Sequence, residues 1–309
     1  MTKTFGGLFL ENLVSQDQYF ERQCQLFQSG HTHGVQLRVA HPSFTPELIP
    51  EALPWILNRL PSGMELFIHY GAENVGVDLG QTLDELGVFS ECCKGTGKTW
   101  KQWNLETLQW GIDVATAVLR SGRLSYRPLG VIHPGYGRSK TDPLARDSIT
   151  DALTSSFNPV YAALETVPQE VDRDWYGPGP NRMLWSQDYF WAVGANPTAM
   201  AELIAELDDS WLGWHCLLDF THIWVTANQL YTEVDKLIAG FLKVRHSKVC
   251  HFSGCPPRDC FIDDHSHIGL VDAVVAEAMR TMDVICLEIP FGDDSPQVIE
   301  TFRRDCGLD

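Results

Sequence analysis

Six apolar runs along this 309-residue chain each end in a side chain able to ligate a metal: LFI-His69, LGVI-His133, VYAAL-Glu165, CLL-Asp219, KVC-His251 and VICL-Glu288. A single histidine after an apolar run is ordinarily a hydrogen-bonded structural residue. Six such endings are harder to produce that way, because buried imidazoles and carboxylates gathered together are costly unless divalent cations balance them. Three further donors lie close by in sequence: His222 follows Asp219 by three residues, and Asp263 and His265, within an Asp263-Asp264-His265 run, follow His251. Mixed His/Asp/Glu ligation without cysteine suits zinc, with manganese or iron as alternatives. Nine donors exceed what one tetrahedral ion needs and match a two- or three-ion cluster with a bridging carboxylate. Such ions make bound water acidic and neutralise charge on phosphoryl and leaving-group oxygens, which is the chemistry of phosphoester hydrolysis. A single ion could instead polarise adjacent oxygens of a sugar, with Glu165 or Glu288 as the proton shuttle of an isomerase. A third reading is a metal-binding biosynthetic or accessory protein without hydrolytic activity.

Donors on six different strands converge only if the strand ends share one face. β-Branched, apolar runs alternate here with helical patterns, the signature of βαβ units around a parallel sheet. Eight strands are expected, at Gly6–Leu10, Val35–Val39, Glu65–Ile68, Gly130–Ile132, Val160–Leu164, Cys216–Leu218, Lys248–Cys250 and Val284–Leu287. The fold class expected is therefore α/β, a (β/α)8 TIM barrel, with residues 1–309 as a single domain and the active face at the C-terminal strand ends. Capping pairs support the helices between them: Thr45-Pro46, Asn196-Pro197 and Ser295-Pro296 each open one, and Gly307 closes the last. Pro50 and Pro54 predict a kinked or split second helix. Two stretches exceed ordinary barrel loops, from about Tyr70 to Thr99 and from about Val167 to Ala195. Their Gly, Pro and aromatic content fits lids or binding loops as well as packed excursions, and Trp175 and Trp185 are the candidates there for substrate contact.

The motifs around these donors resemble the endonuclease IV group of the xylose-isomerase-like barrels. The matching pieces are VIHPGYG around His133, LET at Glu165, DFTH from Asp219 to His222, VCHFSG at His251, DDHSHIG around His265 and CLEIP at Glu288. The resemblance implies three zinc ions. His69, His133 and Glu165 would hold the first, and Glu165 would bridge to a second completed by Asp219, His251 and Glu288. His222, Asp263 and His265 would hold the third. Isomerases of the same superfamily use only two Glu, one Asp and one His, so His69, His133 and the Asp263/His265 pair favour the three-ion branch. The loop after His69 is much longer than the family's DNA-reading loop, whose Arg and Tyr have no match in it; Arg38 and Tyr70 lie nearby.

Composition narrows the partners. Forty acidic against 23 basic side chains give a net charge of −17, which disfavours docking on a phosphate backbone. A small phosphorylated or sugar-like substrate is therefore expected in preference to DNA. The opening MTKTFGGLFLENLVSQDQYF does not read as a signal peptide, and no apolar run is long enough to span a membrane. Nine cysteines without regular spacing suggest a reducing, cytoplasmic compartment, and Cys216, Cys250 and Cys286 read as core. CCKGTGKTW lacks the first glycine of a phosphate loop, which leaves Lys94, Lys98 and Lys101 as a surface basic patch. Arg138 and Lys140, just past His133, are better placed to meet an anionic substrate.

Overall fold

The computed structural model describes residues 2–9, 17–39, 48–70, 79–80, 98, 100–121, 129–137, 142–154, 161–167, 191–208, 214–244, 246–257 and 267–308. Eight strands close into one parallel barrel: β1 (Lys3–Phe9), β2 (Gly34–Val39), β3 (Glu65–Tyr70), β4 (Leu129–Ile132), β6 (Tyr161–Glu165), β8 (His215–Asp219), β9 (His246–Phe252) and β10 (Val284–Leu287). Neighbours in space follow chain order, and β10 pairs back onto β1 with Lys3 opposite Val284. The expected (β/α)8 barrel, with all eight expected strands, is the fold observed. Around it lie α1 (Asp17–Gln28), α2 (Leu48–Arg59), α3 (Trp100–Arg120), α4 (Pro143–Thr154), α5 (Pro197–Asp208), α6 (Phe220–Gln229), α7 (Val234–Phe241), α8 (Ala273–Met279) and α9 (Ser295–Cys306). No helix among the described residues is long and apolar enough to cross a membrane.

Two separate cores follow from the period-two alternation of strand side chains. Outward-facing residues such as Val35, Leu37, Leu66, Ile68, Cys216 and Cys250 pack against the helices in the larger one. Inward-facing Phe5, Phe67, Val131, Ala163, Leu217, Val249, Val284 and Cys286 fill the barrel interior. Gly34 belongs to that interior layer by default: a Cβ there would sit 1.6 Å from Cε1 of Phe5, so the Phe5 ring occupies its space. Cys216, Cys250 and Cys286 are buried as expected, and burial pushes all three thiols upward, so they remain neutral. Trp110 of α3 is buried in the larger core.

Helix boundaries follow the caps. Asn196 Oδ1 accepts from the amides of Thr198 and Ala199 at 2.9 and 3.2 Å, opening α5. Pro296 sits in the first turn of α9, which ends at Gly307 with φ 64°. The proposed start at Thr45-Pro46 lies outside the described residues. The second helix, expected to be kinked or split, is not split: α2 runs through both prolines. Pro50 falls in its first turn, where an amide has no intrahelical partner to lose, and only the exposed Pro54 costs a bond.

A short ribbon links the end of the second long loop to the barrel mouth. Tyr136–Gly137 (β5) pairs antiparallel with Trp191–Ala192 (β7), and Val193 donates to Gly135 O at 3.0 Å. Behind that ribbon, a Cβ on Gly194 would lie 2.7 Å from the carbonyl oxygen of Glu165. Only glycine lets the returning end of the second insertion close on the backbone of the β6 end. The rest of that insertion, with Trp175 and Trp185, and nearly all of the first lie outside the described residues, as do Arg138 and Lys140.

Candidate metal centre

Each of the six donor side chains sits two residues beyond an interior core residue on its strand. The pairs are Phe67/His69, Val131/His133, Ala163/Glu165, Leu217/Asp219, Val249/His251 and Cys286/Glu288. A two-residue step returns a side chain to the same face of a strand, so the six stand directly above the apolar floor of the barrel. Register places them side by side, with Asp219 opposite His251 and His69 opposite Arg38. A register shift between Cys216 and Leu218 on β8 is what brings Asp219 level with His251.

Glu165 is the centre of the cluster. Its Oε2 lies 3.0 Å from Nε2 of His69 and 3.1 Å from Nε2 of His133. Its Oε1 faces the other way, 2.9 Å from Nδ1 of His251 and 3.6 Å from Nδ1 of His222. Two donor groups result, in each of which the ligand atoms lie within 4.8 Å of one another: His69 with His133 and Glu165, and Glu165 with Asp219, His251 and Glu288. The carboxylate common to both turns one oxygen toward each. His69, His251 and Glu288 form a third such grouping across the middle.

Burial and charge set the protonation states. Glu165 is fully buried, which alone would raise its carboxyl, but the charges of and hydrogen bonds from His251 and His133 hold it well below the usual carboxylate range. Burial lowers His69, keeping it a neutral imidazole, and its Nδ1 has no hydrogen-bond partner among the described residues. Burial would lower His251 too, but the carboxylates of Glu288, Glu165 and Asp219 outweigh it and raise the ring to about 9. An ionised carboxylate between imidazoles, backed by two more carboxylates, is the donor set divalent ions require, so the residues present fit such ions.

Asp219 also caps a helix. α6 begins immediately after it, and Asp219 Oδ1 accepts from the amide of His222 at 2.8 Å. The three-residue step therefore puts the His222 ring in the first helical turn beside the cluster. There Nδ1 donates to Thr166 O at 2.8 Å, so the lone pair of the neutral ring is on Nε2. Asp263 and His265 lie outside the described residues. His267, beyond them, is exposed.

Three contributors escaped sequence reasoning in whole or part. Gln36 and Arg38 point inward from β2: Arg38 is ion-paired to Glu288, and Gln36 lies between Glu288 and His251. Alternation of polar with apolar residues in VQLRV was the available signal. Thr166 joins β6 to β8, its hydroxyl accepting from the Asp219 amide at 2.8 Å and donating to the Asp219 carbonyl at 3.2 Å. Arg38 and Tyr70, the residues lying nearest to a DNA-reading pair, are both buried. Arg38 is buried in the ion pair, and Tyr70 is buried against α3, where a Cβ on Gly111 would meet its ring at 2.2 Å. Lys98 forms a surface ion pair with Glu106.

No protein-family model matches the sequence, and no curated protein does either. Among solved structures, the chain is similar to SacUVDE with a TM-score of 0.52 at 9% identity, covering 99% of both chains. It is also similar to D-psicose 3-epimerase from Clostridium cellulolyticum H10, with a TM-score of 0.49 at 11% identity, covering 98% of this chain and 91% of that one. At such identities the likeness to SacUVDE is one of fold, and the fold shared is the barrel.

Proposed function

We propose that the protein is a metal-dependent hydrolase of phosphoester bonds, with a cluster of two or three divalent ions, zinc by preference, at the C-terminal face of the barrel. The observation that carries this is the placement of Glu165, whose two carboxylate oxygens face two different donor groups. A site built for one ion has no use for that arrangement, whereas a pair of ions needs a bridge. When bound, such ions supply an acidic water and a counter-charge for phosphoryl oxygens. His69 and His133 would hold one ion with Glu165, and Asp219, His251 and Glu288 would hold the other. His222 would serve a third with Asp263 and His265, as the resemblance to endonuclease IV implies. Arg38 partly offsets the carboxylate charge from its place against Glu288. His133, the most exposed of the six donors at 13% of its side chain, marks the side from which substrate enters.

One observation favours a second reading. Glu165, Asp219, His251 and Glu288 form by themselves the two-Glu, one-Asp, one-His set of a single-ion sugar isomerase. In that case Glu165 or Glu288 would shuttle the proton.

The experiment is hydrolysis of bis-nitrophenyl phosphate by the zinc- or manganese-loaded protein, with incision of an abasic duplex run in parallel. A small substrate and a net charge of −17 predict turnover of the simple diester and weak or absent incision at physiological salt. Efficient incision would make the substrate DNA. Failure on both substrates would overturn the hydrolase reading and leave the isomerase and the non-hydrolytic metal-binding protein standing.

A further inference from the structure

The strand β2 places a fully buried glutamine inside the barrel, Gln36, between Val35 and Leu37, which face the helices. Its carboxamide touches two of the six donors. Nε2 donates to Glu288 Oε1 at 3.0 Å, and Oε1 lies 2.7 Å from Nε2 of His251. The two ends of an amide are chemically unlike, and that difference decides where a proton sits. The end beside Glu288 must be the NH2, because an amide oxygen there would set two acceptors face to face. The other end is then a pure acceptor, so His251 Nε2 must carry a hydrogen. Without an ion Nδ1 also carries a hydrogen, donated to Glu165 Oε1; the neutral ring that binds an ion has only one N–H, held on Nε2 by the amide, so Nδ1 is the nitrogen that offers its lone pair. Nδ1 is also the atom turned toward the cluster, 2.9 Å from Glu165 Oε1, 3.3 Å from Glu288 Oε1 and 3.9 Å from Asp219 Oδ2.

We infer that Gln36 is a positioning residue: it selects the Nδ1-donor tautomer of His251 and holds that ring and the Glu288 carboxylate in register for the same ion. This rests on the metal reading above. A glutamine that merely filled space would make neither contact necessary, and an apolar side chain of similar size would serve as well.

The test uses the full chain labelled with 15N-histidine and loaded with 113Cd2+ as the probe. In the unsubstituted protein, cadmium coupling is expected on His251 Nδ1, with a retained proton on Nε2. Gln36→Leu removes both bonds at similar volume. It should weaken cadmium and zinc affinity by about 10–100-fold, the usual cost of losing an outer hydrogen bond to a ligand, and shift the Nε2 proton resonance, which loses its acceptor, and speed its exchange. Gln36→Glu keeps an acceptor for His251 and should preserve that proton while still weakening affinity, since it faces Glu288 with a second carboxylate. If Gln36→Leu fails to fold, judged by circular dichroism, the spectrum of the unsubstituted protein and of Gln36→Glu decides the matter. Coupling at Nε2 of His251, or a Gln36→Leu protein with affinity within about twofold and an unchanged spectrum, would overturn the inference while leaving the metal reading intact. Absence of cadmium binding by the unsubstituted protein would overturn the metal reading and this inference with it.

Discussion

Replacing Glu165 by Gln keeps the volume of the side chain and removes its charge. In the structure that charge meets His69, His133 and His251 at 3.0, 3.1 and 2.9 Å with no solvent exposure. Removing one partner from a buried charged network costs about 3–5 kcal/mol, because the remaining charge is left without its counter-ion. Against a total stability of about 5–15 kcal/mol, the metal-free variant should still fold at room temperature. At about 2–4 °C per kcal/mol for a domain of this order, its midpoint should fall by roughly 6–20 °C. The more telling effect is on metal content. Glu165 belongs to two donor groups, whereas His133 belongs to one. Glu165→Gln should therefore lose both ions of the pair, while His133→Ala should lose about one and leave the Glu165, Asp219, His251 and Glu288 set intact. Elemental analysis after passage over a chelating resin, with thermal unfolding in parallel, reads both effects. A Glu165→Gln protein that keeps the full metal content, or loses no more than His133→Ala does, would refute the bridging role.

Two other outcomes follow from the site. The folded state holds His251 at about 9, above the ordinary imidazole value of 6.5, so this residue stabilises the metal-free protein fully below pH 6.5 and that contribution disappears as pH rises through 9. The midpoint of chelator-treated protein should accordingly fall across that window, while zinc affinity rises because binding must displace the His251 proton; titrations at pH 6.5, 7.5 and 8.5 check both, and a pH-independent affinity would contradict them. For the loop beyond β9, His265→Ala should lose about one metal equivalent with the fold preserved, whereas Asp264→Ala and His267→Ala should not; loss on either control instead would move the third-site assignment by a residue or two.

Period and position made the fold readable from the sequence. Apolar strand runs alternating with capped helices identify a parallel barrel, and once the barrel is granted, the last residue of each run must sit at its active face. The same two-residue step that buries Ala163 in the interior delivers Glu165 to the mouth, so six donors could be named before any geometry. Gln36 and Arg38 were not legible in the same way. Their partners lie far along the chain, 215 residues away for Gln36 and His251, and nothing local announces which acceptor a buried amide will find. The prolines of α2 do not split it, because a proline's cost depends on its place within the helix and Pro50 falls where no bond is lost. The β5–β7 ribbon consists of two-residue pairings, too short to leave a pattern, yet it is what returns the second long loop to the backbone of Glu165.

The central claim is that one carboxylate joins two ion sites, and the number of ions per chain tests it most directly. Protein purified without chelators, and the same protein stripped and reloaded with zinc, should each carry two to three ions per chain by elemental analysis. That count is set by the two donor groups that share Glu165 and by the third group expected at His222, Asp263 and His265. One ion per chain after reloading, or none, would contradict the account, the first of these pointing to a single-ion isomerase.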